Sequence, residues 1–72
     1  MGSDIGMAPI YRILKKSGAE RISEESTDEL RRTIEDVTLA ISKSAVEMAR
    51  HAGRRTVMAD DIKLASKAFI KS

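Results

Sequence analysis

Between Glu24 and His51 the chain has neither glycine nor proline. Within that stretch Leu30, Ile34, Val37, Ile41, Ala45 and Met48 recur every three or four residues, the period of one face of an α-helix. The spacing predicts a helix of about 28 residues, about 42 Å long at about 1.5 Å per residue. A chain of 72 residues holds one domain at most, and such a rod dominates it. Leu39, Ala40, Val46 and Ala49 widen the apolar surface beyond one stripe. A helix apolar on more than one side needs cover on more than one side.

The flanking sequence supplies two short helices. Pro9 suits the first position of a helix, where its missing N–H costs nothing. From there Ile10, Ile13 and Leu14 fall on one face, and Gly18 ends the segment. SGAERIS is the loop after it. Ser23 is a good N-cap for the long helix, and Glu24 and Glu25 complement its dipole. Ser26 stands where a capping box needs Glu or Gln, so that motif is incomplete. Gly53 closes the long helix. After RRTV a third helix begins near Ala59, with Asp60 and Asp61 in its first turn and Ile62, Leu64, Ala65, Ala68, Phe69 and Ile70 as its buried face.

The expected fold class is therefore all-α: short helix, loop, long helix, loop, short helix. Two short helices cover only part of the rod. Small domains commonly need disulfides, a metal or a partner subunit. There is no cysteine, and one histidine is too few for a structural zinc site, so no metal or cofactor is expected. A symmetric homodimer with crossed long helices is the economical solution; a three-helix monomer with an overlong middle helix is the alternative. No apolar run approaches a membrane span, and the N-terminus lacks the basic and apolar regions of a signal peptide. A cytoplasmic protein is expected.

The net charge of +2 hides an uneven distribution. Arg12, Lys15, Lys16 and Arg21 face a single acid, Glu20, within residues 12–21. Residues 24–36 hold six acids against Arg31 and Arg32, and residues 50–55 hold Arg50, Arg54 and Arg55 with no acid. Distribution, more than net charge, decides whether a surface attracts a polyanion. In HAGRRTV, Arg54 and Arg55 offer forked donors and Thr56 a hydroxyl, and SGAERIS carries Arg21. Backbone N–H groups at the nearby helix starts add anion affinity. Either loop alone is better read as dipole partners and solvated surface. In an antiparallel crossed dimer, however, Arg21 of one chain would join Arg54, Arg55 and Thr56 of the other. An enzyme is not expected: the paired acids sit at helix starts, and no glycine-rich phosphate loop is present.

These residues carry a resemblance. API at 8–10, RILKKSGAERIS at 12–23, AVEMARHAGRRTV at 45–57 and ADDIKLA at 59–65 resemble the histone fold of the short, tail-less archaeal histones, over about residues 8–70. Residues 1–7 would form a short head and 71–72 the C-terminal end. The resemblance implies intertwined homodimers that package double-stranded DNA into nucleosome-like chromatin on the chromosome (nucleoid). It implies DNA contacts from Arg12, Arg21, Arg54, Arg55 and Thr56, and an ion pair between Arg54 and Asp61 that fixes the second loop. It further implies a dimer core of Leu30, Ile34, Val37, Ile41 and Ile62. Met48, His51, Asp61 and Leu64 would form a dimer–dimer junction giving tetramers or higher assemblies, with His51 of one dimer paired to Asp61 of the next. Taken alone, His51 is an ordinary dipole-stabilising residue, Met48 is core, and Asp60 and Asp61 are helix-start acids.

Tyr11, Met58, Lys63 and Lys67 depart from the family pattern. The last two bear on salt bridges that stack successive dimers. A heterodimer with a paralogous histone is a further expected partnership. The rival expectations are a histone-fold subunit of a transcription or other protein complex that requires a different partner chain, and a purely structural helical dimer without DNA affinity. Counting Arg12, Arg21, Arg54 and Arg55 from both chains gives at most about eight phosphate contacts and a log–log salt slope near about −7.

Overall fold

The computed structural model describes residues 5–71, so most of the expected head, residues 1–4, and Ser72 lie outside the described residues. Three helices occur in order: α1 (Met7–Lys16), α2 (Glu24–His51) and α3 (Ala59–Lys71). No strand occurs among the described residues. The chain divides near the middle of α2 into two compact units, one up to Asp36 and one from Val37 onward.

In the first unit, α1 begins two residues earlier than the sequence predicts. Gly6 is the N-cap, with extended backbone at φ −71° and ψ 159°, so Pro9 is the third helical residue. Proline is tolerated there because the N–H groups of the whole first turn lack intrahelical partners. The α1 stripe is buried only at Ile10; Leu14 is half-buried and Ile13 exposed. At the far end the Gly18 N–H donates to the Lys15 carbonyl at 3.1 Å, and Gly18 takes φ +104°. Ser23 caps α2: its Oγ accepts the Ser26 N–H at 3.1 Å. Ser26 Oγ donates to the Ser23 carbonyl at 2.8 Å, in place of the reciprocal half of a capping box. Arg31 then ties Asp28 and Glu35 along α2, the latter at 2.6 Å, and Arg32 reaches Asp28 at 3.2 Å.

In the second unit, α2 ends in a Schellman motif. The Gly53 N–H donates to the Arg50 carbonyl at 2.9 Å and the Arg54 N–H to the Ala49 carbonyl at 2.9 Å, with Gly53 at φ +74°. Small residues make the packed centre: Ala45 has no exposure, and Ala49 and Ala65 have 2 % each. The expected buried face of α3 is covered only at Ala65. Ile62, Leu64, Phe69 and Ile70 are 40–79 % exposed, and Ala68 is exposed too. The periodicity of α3 is real, but one chain does not supply the surface against which those side chains would pack.

Candidate nucleic-acid interface

The loop between α2 and α3 is held by one side chain pair. The Schellman turn aims Arg54 back across the loop, and its guanidinium meets Asp61 in a two-pronged pair: Nη1 to Oδ2 at 2.8 Å and Nη2 to Oδ1 at 2.9 Å. Arg54 Nη1 also donates to the Thr56 carbonyl at 2.9 Å. Asp61 Oδ2 accepts a further bond from the Met58 N–H at 2.8 Å. Asp61 is thus the third residue of α3 and caps that helix from inside, although Met58 has no hydroxyl to return the bond. The Asp61 side chain is 6 % exposed and that of Arg54 34 %. The Arg54 hydrogen bonds, then the Met58 N–H, pull the Asp61 carboxyl down to about 2 against the opposing effect of burial. The same hydrogen bond with Asp61 raises Arg54.

This geometry separates residues that look alike in sequence. Arg54 is engaged inside its own loop. Arg55 and Thr56 beside it are exposed, as are Arg12 on α1 and Arg21 in the first loop. Among the described residues no hydrogen bond or ion pair involves the side chains of Arg12, Arg21 or Arg55. The expected anion affinity of the helix starts is already used at two amides, because the Ser26 N–H goes to Ser23 and the Met58 N–H to Asp61. The free cations are therefore side chains.

The remaining expected positions differ in exposure. His51 is the exposed last residue of α2, Met48 one turn earlier is half-buried, and Leu64 is 58 % exposed. Asp61 is nearly buried and carries three hydrogen bonds, leaving Oδ1 with a single bond. Leu30, Ile34, Val37 and Ile41 are half-buried and Ile62 is exposed.

Two contacts in the first unit had no warning in the spacing of charges. Lys15 Nζ donates to the Glu20 carbonyl at 3.2 Å and lies 6.0 Å from the centre of the Tyr11 ring. The separation of Tyr11 and Lys15 by four residues is a readable helical signal; the carbonyl acceptor has no sequence signature. Among the described residues no group of three His, Cys, Asp or Glu is placed to hold a metal ion, and no helix is long and apolar enough to cross a membrane.

The chain matches the profile of the family described as histone-like transcription factor (CBF/NF-Y) and archaeal histone over residues 4–65. It is 46 % identical over 66 residues to one of the subunits of the archaeal histone HAN1 from Thermococcus zilligii, covering 92 % of this chain and 98 % of that protein. It is 40 % identical over 63 residues to the probable archaeal histone 3 of Methanocaldococcus jannaschii, covering 88 % and 94 % respectively.

Proposed function

The chain belongs to the histone-fold family of archaeal histones and histone-like transcription factors, and from that membership we propose that it binds and compacts double-stranded DNA as a homodimer. The observation that carries the proposal is the division of labour in the second loop. Arg54 is spent on Asp61, and the clamp so formed presents Arg55 and Thr56 outward. A loop fixed from inside holds its outer donors in place for phosphate before DNA arrives, which lowers the entropy cost of binding.

The exposed apolar side chains support the dimer. Among the described residues, the buried hydrophobic residues of one chain are Ile10, Ala45, Ala49 and Ala65. Burying an isoleucine contributes about 1.5–3 kcal/mol, comparable to the cost of ordering two residues. In the dimer, the half-buried Leu30, Ile34, Val37 and Ile41 and the exposed Ile62 find their cover across the dimer boundary. Antiparallel long helices bring Arg21 of one protomer beside Arg55 and Thr56 of the other, and Arg12 from each chain completes a basic face. Phosphate contacts give affinity with little sequence information, so preference among sequences follows DNA deformability. With Arg54 engaged, three of the four expected contact arginines, Arg12, Arg21 and Arg55, remain for phosphate, six per dimer, which sets a salt slope of about −5 rather than about −7.

At the dimer–dimer junction, Met48, His51 and Leu64 supply exposed or half-exposed surface, and Asp61 Oδ1, with a single hydrogen bond, would accept a second from the next dimer's His51. Assembly through this junction wraps DNA into a nucleosome-like particle. The name of the Thermococcus relative, which calls it a subunit, favours a second arrangement in which a paralogous histone replaces one chain of the dimer. The test is binding of purified protein to random-sequence duplex. Protein dimers should saturate the DNA, and the double variant Arg21→Ala/Arg55→Ala should lose binding while remaining dimeric. Undiminished binding by that variant would refute the assignment of the loops.

A further inference from the structure

We propose that Lys15 is a positioning residue for Arg21, with the Tyr11 ring as its seat; this rests on the DNA-binding reading above. The first loop lacks an internal clamp like that of the second. Among the described residues the backbone of residues 19–22 makes no backbone–backbone hydrogen bond. The loop leaves α1 through Gly18 at φ +104°, a conformation that does little to fix the residues after it. Among the described residues, the one hydrogen bond into this segment is from Lys15 Nζ to the Glu20 carbonyl at 3.2 Å.

That carbonyl belongs to the peptide group that also contains the Arg21 N–H. Peptide planarity means that holding the Glu20 oxygen orients the plane from which Arg21 departs. A lysine side chain has many rotamers, and an exposed one would normally stay solvated. Here the Tyr11 ring, one helical turn back, lies 6.0 Å from the ammonium and favours the rotamer that reaches the loop. The two loops therefore use different devices for one purpose: an internal Arg54–Asp61 pair behind Arg55, and a lysine strut from α1 behind Arg21.

Two measurements on the full-length protein test this. The first is the backbone NMR order parameters of the free protein at residues 19–22, which should fall in Lys15→Met and in Tyr11→Leu. The second is a cycle of DNA affinities with Arg21→Ala. Surface cation contacts are weak, so Lys15→Met should lower affinity about three- to fivefold per dimer. It should have no further effect when Arg21 is already alanine, and Lys15→Arg should restore affinity. Equal losses in both backgrounds, with the salt slope reduced by about 1.8 per dimer, would make Lys15 a phosphate contact in its own right and overturn the proposal. If the unaltered protein does not bind DNA, the DNA reading falls. Lower order parameters in the variants would then still uphold the tie, and unchanged order parameters would overturn it.

Discussion

Dilution should unfold this protein, by an amount set by its size. Among the described residues one isoleucine and three alanines are the buried hydrophobic side chains, while Ile13, Leu39, Leu64 and Ile70 are each more than half exposed. If a second copy supplies the missing core, folding and dimerisation are one equilibrium and stability depends on protein concentration. A tenfold change in concentration is worth about 1.4 kcal/mol per dimer. Two chains of 72 residues unfold with an entropy of about 0.30 kcal/mol/K, at about 2.1 cal/mol/K per residue. The quotient is about 4–5 °C per decade, so dilution from about 100 μM to about 1 μM should lower Tm by about 9 °C. Circular dichroism melts over that range measure it directly. A Tm that is constant across the hundredfold range would refute the inference from exposed side chains to an obligate dimer.

Three further outcomes are expected. Asp61 has a folded carboxyl at about 2, below its ordinary 3.8, so it stabilises the fold fully above that ordinary value and loses its contribution as pH falls from 3.8 towards 2. The Tm difference between the parent and Asp61→Asn should therefore be constant near neutrality and shrink across that acid window; a difference independent of pH would contradict the pairing. Gly53→Ala places a side chain at φ +74° where space is open but the backbone is disfavoured, so it should cost about 1–2 kcal/mol per chain in denaturant unfolding. A neutral result would mean the α2 terminus relaxes freely. His51→Ala should leave the loop clamp and the dimer intact but shorten the nuclease-protected DNA; an unchanged footprint would remove His51 from the dimer–dimer junction.

The helices, their glycine stops and the Ser23 cap are legible in the sequence because each depends on residues within one turn of one another. The start of α1 is less so, for a related reason: Pro9 fits several first-turn positions, and the extended backbone at Gly6 settles which. Periodicity overstates burial on α3 at Ile62, Leu64, Phe69 and Ile70, because it identifies an apolar face without saying which molecule covers it. The Arg54–Asp61 pair spans seven residues across a turn, outside helical spacing, and only the family resemblance points to it. Its consequence, that one of two adjacent arginines is held inside the loop and the other left exposed, requires the geometry. The strut from Lys15 is hidden because its acceptor is a main-chain oxygen.

The most direct test of the account is the affinity for random-sequence duplex DNA over several salt concentrations, with stoichiometry at saturation. The predicted result is binding by dimers with a log–log slope of about −5, from Arg12, Arg21 and Arg55 of both chains at about −0.9 each. A slope near about −7 would put Arg54 among the phosphate contacts and break the division between clamp and contact residues. A slope near zero, or no binding at low salt, would contradict the central claim that these loops are built for phosphate.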